Sequence, residues 1–583
     1  MSETHVLPER QKAQGADKDR DTAATRHMCA GVYFHRGFRD RIIRSVHNAP
    51  YWRVAPSYGF DLVPVVRHAW YAWGLDNALL VCVPTVLTCA VLLGHALAAV
   101  MAGCVLASGV LLRFTVLTGY DTLRLRVDRT AENWLEREKK GRSGGYLDHE
   151  KRKRRLRGIR IGAAGIAAVL LVACMVADQR PEEALGTLGA VLGVLAAAGL
   201  LAGAARQLLI NRVHGRAELK ASRLLPREKA VDEQQKHHCA VYRRWERKAG
   251  DDVLDVLRNR EEMTLFAGCG ELAHYWPSPL TVPLLREEDE KRQYRRREYE
   301  RPPFAAHELV DHLKQAFRSL EDDAEDVRLE GIEASDRLCV PEIAVSADRT
   351  LLKERLREED LGAVIDRPRG SVRHYLEVTV PTEGGELFTT VLVAVTVEGR
   401  ALSIGFSACA LGRTPKAFHR IDSYAEVGKA AVVWSALKGA AELFTEAWRV
   451  IRLLELPFTV AAALWAQKDR TLRPVRWIPV GTRFSAREEA AQEWRDVGKG
   501  DQEAVFARTK VVEQRIVSTV EDFLEEKGVD TSEFSEAAVR IINKGVFNMG
   551  DNNQTNYASG RNSQVNSGQG EQNPGGDEQR KKD

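Results

Sequence analysis

One run of residues constrains this chain more than any other: Ala78 to Leu112, ALLVCVPTVLTCAVLLGHALAAVMAGCVLASGVLL, carries no charged side chain apart from a protonatable His95. As a single helix it would reach about 52 Å, well beyond a hydrocarbon core of about 30 Å. Folded at Gly94-His95 it makes two helices of roughly 17 residues, each just long enough to span. The run therefore predicts a tight transmembrane hairpin.

A second pair follows in Ile161–Ala177 and Ala184–Ala205, joined by the polar turn DQRPEE. Four transmembrane helices in two hairpins are expected. Gly189-x-x-x-Gly193 and Gly199-x-x-x-Gly203 clear side chains from one face of the last helix, a spacing that lets another backbone approach closely. Fourteen Lys and Arg lie between Thr115 and Arg160, including KRKRR at Lys151 to Arg155, whereas the two opposite turns hold only Arg180. Positive residues stay on the cytoplasmic side, so both termini and the central loop are expected in the cytoplasm of a multi-pass protein of the plasma (inner) membrane. Trp70, Tyr71 and Trp73 sit where headgroup-level aromatics belong.

Upstream, Phe34, Phe38, Ile42 and Val46 recur every fourth residue, with Arg36, Arg39, Arg41 and Arg44 on other faces. Such a basic amphipathic helix either lies on anionic lipid or docks on the cytosolic domain. The first 27 residues mix acids and bases without an apolar core and read as a disordered leader without a cleavable signal. Residues 28–75 form a basic juxtamembrane segment, 76–115 the first hairpin, 116–160 a basic loop and 161–205 the second hairpin.

Residues 206–485 read as a cytosolic α+β domain. Turn pairs Gly384-Gly385 and Glu398-Gly399 divide β-branched runs into a three-stranded antiparallel meander, with further strands expected at Met263–Ala267 and Leu338–Val345 and a helix near Ala305–Ser319. Pro457–Ala466, PFTVAAALWA, is too short to span and is expected to be buried in the cytosolic core, with docking at the membrane surface as the alternative. A helical segment, 486–545, holds an amphipathic helix over Gln502–Lys527 and a capped one after Asp530.

Motifs for chemistry are missing. Phe266–Gly270 (FAGCG) lacks the third glycine of a dinucleotide loop and the Gly-Lys-Ser/Thr end of a P-loop, so it reads as a strand-ending turn. His237-His238-Cys239 are adjacent and cannot close on one metal unaided, so they read as a surface patch. Neither Gly-x-Ser-x-Gly nor His-Glu-x-x-His occurs. The nine cysteines are scattered without a Cys-x-x-Cys, which argues against a disulfide framework or zinc ribbon. A net charge of +4, from 85 basic and 81 acidic residues, and the acids interleaved in EKRQYRRREYER speak against nucleic acid. No catalytic residue, cofactor or metal is expected.

Residues 546–583 form an Asn/Gln/Gly-rich tail with an internal register of ten. Gly550, Asn552, Gln554 and Asn556 recur as Gly560, Asn562, Gln564 and Asn566. Alternate amides would line one side of a strand and stack as ladders, while the glycines turn the chain. The tail is expected to be disordered alone, or conditionally β in company.

Several blocks carry a resemblance: VAPSYGFDLVPVVRH from Val54, FAGCGE from Phe266, EVTVPTEGGELF from Glu377, and VDTSEF with IINKGVFNMG after Val529. Together they resemble an actinobacterial family of multi-pass membrane proteins without an assigned biochemical activity. That resemblance implies architecture and brings no catalytic residues. The decapeptide repeat resembles the amyloid signalling motifs of bacterial immune and cell-death proteins, of the RHIM and HET-s kind, which implies homotypic assembly. The expected function is that of a non-enzymatic, membrane-anchored interaction or signalling protein. Its partners would be the bilayer, further copies of itself, or proteins with matching tails; a membrane-bound enzyme and a pore-forming effector are the alternatives.

Overall fold

The computed structural model describes residues 21–135, 158–159, 161–169, 172, 181–242, 266–286, 298–320, 329–347, 349–352, 358–367, 370–423, 425–472, 480–544 and 546–547. The first helices are short and capped by side chains. In α1 (Ala23–Phe34) the Thr22 hydroxyl accepts from the Thr25 N–H, and in α2 (Arg36–Ile42) the His35 ring accepts from Phe38 N–H. Phe38, Ile42 and Val46 are buried with Met28 and Val66, while Arg41 and Arg44 point outward. The amphipathic segment thus docks on protein, the second of its two sequence readings.

Asp61 caps α3 (Leu62–Leu92), Gly94 turns the chain at φ 85°, and α4 (Ala96–Leu135) runs back. This is the predicted hairpin, lengthened at both ends. The fourth predicted span lies within α5 (Pro181–Gly215). Among the described residues, three helices are therefore long and apolar enough to cross a membrane: Leu62–Leu92, Ala96–Val116 and Glu183–Gly215. Of the remaining predicted span, residues 161–169 and 172 are helical, and the rest lies outside the described residues.

After α6 (Pro226–Gln235) comes a sheet of eight strands: β1 (Cys239–Tyr242), β2 (Glu271–Tyr275), β3 (Leu280–Pro283), β4 (Glu333–Pro341), β5 (Arg373–Thr382), β6 (Leu387–Glu398), β7 (Ala401–Leu411) and β8 (Val546–Phe547). Their order is β1-β4-β5-β6-β7-β2-β8, with β3 also on β7. Among the described residues only the β1–β4 pair is parallel, so the sheet is mixed. The predicted meander is β5-β6-β7. The strand expected over Leu338–Val345 starts earlier, at Glu333, and stops at Pro341, where α8 (Glu342–Ala347) begins. Of the one expected at Met263–Ala267, residues 263–265 are outside the described residues, and Phe266–Gly268 form a turn leading into β2.

Between the strands lie α7 (Ala306–Ser319) and, after α8, α9 (Glu358–Ile365). Beyond the sheet come α10 (Lys429–Glu446), α11 (Leu456–Trp465), α12 (Ala486–Ala490), α13 (Lys499–Glu526) and α14 (Ser532–Lys544). The apolar stripes of α7 (Leu309, Leu313, Phe317) and α13 (Val512, Ile516, Val520, Phe523) cover one sheet face at Val378, Val391, Val393 and Phe406. Gly528, at φ 69°, ends α13, and Asp530 caps α14 by accepting from the Ser532 N–H.

Candidate functional site

The segment that follows the sheet turns back among the apolar helices. Helix α10 runs antiparallel to α5, with Gly428 against Asn211, Ser435 against Gly203 and Ala440 against Gly199. A Cβ on Gly199 would sit 2.7 Å from the Ala440 Cα, and one on Gly203 would collide with the Ser435 carbonyl. Gly439 on α10 answers them, its would-be Cβ 2.8 Å from the Gly203 Cα, and a Cβ on Gly109 of α4 would sit 2.7 Å from the Phe444 carbonyl oxygen. The Ser435 hydroxyl donates to the Gly203 carbonyl at 2.9 Å. Small residues on both helices bring the backbones into contact. A Cβ on Gly189 or Gly193, at the same spacing, would meet nothing within 4 Å among the described residues.

Beyond α10, a 3-10 stretch (Ala447–Glu455) and α11 lead out again. Here the expectation of a buried Pro457–Ala466 is corrected. No residue of α11 is buried; Phe458 is 76% and Leu464 70% exposed, and Trp434, Leu454 and Trp465 are exposed as well. The helix is apolar on all sides, so packing one face against protein would leave the opposite apolar face uncovered.

Where these helices emerge, ion pairs form a collar. Asp76 on α3 is buried and accepts from Arg36 Nε at 2.9 Å, Arg39 Nη1 at 2.8 Å and Arg206 Nη2 at 3.0 Å. Glu442 accepts from Arg206 at 3.0 Å, and Glu446 binds Arg36, Arg113 and, at 3.0 Å, Arg449. Five arginines thus surround three carboxylates, the eight groups coming from α2, α3, α4, α5, α10 and the 3-10 stretch. A desolvated carboxylate is stable only with such partners, so the collar ties α2, α3, α4, α5 and α10 to one level. The sequence reading missed it because its members are spread from position 36 to position 449. The local signals were Asp76 standing two positions before the apolar run, and Glu442 and Glu446 a helical turn apart in a mostly apolar helix.

A second cluster clasps α1 to the sheet. The His27 ring meets Glu386 Oε1 at 2.5 Å through Nδ1 and Asp422 Oδ2 at 2.7 Å through Nε2, with the His419 ring tilted against it at 4.1 Å between centroids. Burial alone would lower the His27 pKa, but the hydrogen bond and charge of Glu386, then of Asp422, raise it. Burial likewise opposes ionisation of Glu386, yet the His27 hydrogen bond, the Arg487 charge and the Thr414 N–H bring it down to about 2. His27, Glu386 and His419 are of metal-ligating type and lie within 4.8 Å of one another. Both His27 nitrogens face carboxylates and His419 Nε2 lies 3.2 Å from the Thr414 carbonyl, an arrangement that favours the protonated imidazole.

FAGCG does gather an anion, though not a phosphate. With Gly268 at φ 100° and Gly270 at φ 94°, both N–H groups donate to Glu488 Oε1, at 2.7 and 3.2 Å. Burial outweighs these donors and pushes the Glu488 pKa up to about 7. The loop leads into β2, and the residues before Phe266 lie outside the described residues. The surface patch expected at His237-His238-Cys239 is corrected too: the imidazoles are half-buried and stacked at 4.6 Å, and Cys239 is buried at the start of β1.

Beyond α14, β8 closes the sheet edge, with Phe547 opposite His274 and Val546 opposite Tyr275 on β2. The repeat residues Gly550, Asn552, Gln554, Asn556, Gly560, Asn562, Gln564 and Asn566 lie outside the described residues. No curated protein and no solved structure matches the chain. Residues 277–555, from just before β3 through α10, α11 and β8 to the start of the repeat, match the model of the AbeC-like domain.

Proposed function

We propose that this chain is a membrane-anchored, non-enzymatic interaction protein. The apolar helices hold the sheet domain on the cytoplasmic face of the plasma membrane, and the C-terminal repeat gathers identical or matching tails. The observation that carries the reading is the course of residues 429–465: they leave the sheet domain, interlock with α5 and α4 through glycines, and present an apolar surface. Val83, Leu106, Leu195 and Leu443 share one cluster. α10 thus packs into the apolar bundle formed by α3, α4 and α5. An anchor built this way fixes the orientation of the sheet domain, which a flexible tether would not.

Support for the assembly half is the place where the tail departs. It follows an edge strand, and a strand edge is where further β pairing begins. The bilayer concentrates such tails in two dimensions, which favours association without any new contact.

Two measurements test the proposal on the full chain in its membranes. Alkaline carbonate washing should leave the protein in the pellet; release into the supernatant would refute the anchor. Chemical crosslinking should give a ladder of oligomers that disappears when the chain is ended after Phe547. An identical pattern with and without the repeat would remove the assembly part.

A further inference from the structure

On the opposite side of α3 from the collar's Arg36, α3 and α5 diverge around a groove of about 740 Å³, within the usual range for ligand sites. Its lining is graded along the helices. Ala78, Leu75 and Leu209 stand at the end nearest the apolar layer, Trp70 and Tyr71 in the middle, and Arg212, Arg216 and Lys220 at the far end. Ala78 and Arg67 are eleven positions apart on one helix, about 16 Å, so the groove runs from the apolar end past the headgroup region of a leaflet, about 5–7 Å deep.

Charge at the rim is not all spent within the chain. Arg67 is held by Glu228, and Lys220 by Asp232 at 2.6 Å and Asp61 at 3.4 Å. Arg212 and Arg216 are exposed and have no ion-pair partner among the described residues, with Glu218 the one acid lining the groove. Trp70 contributes an indole N–H that is buried without an acceptor among the described residues. Gly74, on the same face of α3, leaves the floor open, since a Cβ there would meet nothing within 4 Å.

We infer that this groove binds one anionic phospholipid, its phosphodiester against Arg212 and Arg216, its glycerol and ester region beside Trp70 and Tyr71, and its upper acyl carbons along Leu75, Ala78 and Leu209. The order of apolar, aromatic and basic residues is the order of chemical groups in such a lipid. Arginine suits a phosphodiester because its planar fork offers paired donors. A soluble phosphate would use the rim and leave the apolar end unfilled. The inference rests on the membrane reading above, because the groove's gradient has meaning only if α3 and α5 cross the bilayer.

The test uses the full chain reconstituted in nanodiscs of equal phosphatidylglycerol and phosphatidylcholine, followed by native mass spectrometry of the retained lipid. The wild type should keep phosphatidylglycerol preferentially. R212Q/R216Q should lose that preference, at about five-fold per arginine, and Gly74→Trp, which fills the floor, should lose the bound lipid altogether. Arg540→Gln, an exposed arginine on α14, should change nothing. Inorganic phosphate and glycerol phosphate should fail to compete; competition by either at millimolar concentration would show that the rim alone binds and would overturn the assignment. Equal retention of both lipids by the wild type, or preference surviving in R212Q/R216Q, would also overturn it. A chain that inserts but retains no lipid sinks this inference alone, whereas one that never enters nanodiscs sinks the membrane reading with it.

Discussion

Glu488 sits buried against the Gly268 and Gly270 amides, and its raised pKa ties stability to pH through a single side chain. Because the folded pKa is raised from 4.5 to about 7, the folded state holds the proton more tightly. The stabilisation is therefore full below 4.5 and is lost as pH rises through 7, an effect on the order of 3 kcal/mol at most. Glu488→Gln keeps an acceptor oxygen for both amides and cannot ionise. Wild type should therefore lose thermal stability relative to this variant between pH 5 and pH 8; a gap that stays constant would show that Glu488 does not titrate there. The His27 clasp runs differently. His27, raised above 6.5, contributes fully below that value and less as pH climbs through its folded pKa; Glu386, lowered to about 2, contributes fully above 4.5 and loses its part as pH falls through 2. The clasp is strongest between about 4.5 and 6.5. At pH 6, His27→Ala should cost about 3 kcal/mol in equilibrium unfolding by leaving a buried carboxylate short of its partner. None of these pairings was legible in sequence, since His27 and Glu386 are 359 positions apart and neither belongs to a motif.

Among the helices, the glycine motif was legible and its partner was not. Four glycines at i, i+4 spacing marked one face of α5, yet only Gly199 and Gly203 approach another backbone, and that backbone is α10, from more than 200 residues downstream. Gly203→Leu should displace α10 and cost about 1–3 kcal/mol, read as a fall in thermal stability in detergent. Gly189→Leu, in open space, should leave the melting temperature unchanged. The hairpin turn at Gly94, the meander β5-β6-β7, the α7 and α13 stripes and the caps at Asp530 and Gly528 were all readable, because each is set by local periodicity or turn chemistry. The parallel β1–β4 pair and the return of α10 and α11 were not. Both depend on contacts between distant segments, and a short apolar helix has the same sequence signature whether a protein core or lipid receives it.

Across the whole molecule, the sheet and the apolar helices are built into each other. The AbeC-like match opens at residue 277, after β1 and β2, so two strands of the sheet come from outside it, and α10 within it packs on α5 outside it. An isolated 277–555 fragment would lack β1 and β2 and expose the glycine face of α10. It should therefore aggregate or stay partly unfolded, while the full chain remains monodisperse in detergent; a monodisperse, cooperatively melting fragment would contradict this. The central claim is that residues 429–465 belong to the membrane-facing body. Photocrosslinking with benzoylphenylalanine in native membranes tests it most directly, at Trp434 and Phe458, with exposed Leu201 of α5 as the lipid-side control and exposed Arg540 of α14 as the aqueous one. Lipid adducts should form at Trp434, Phe458 and Leu201 and not at Arg540. Adducts at Leu201 alone, with Trp434 and Phe458 crosslinking to protein or to nothing, would contradict the claim.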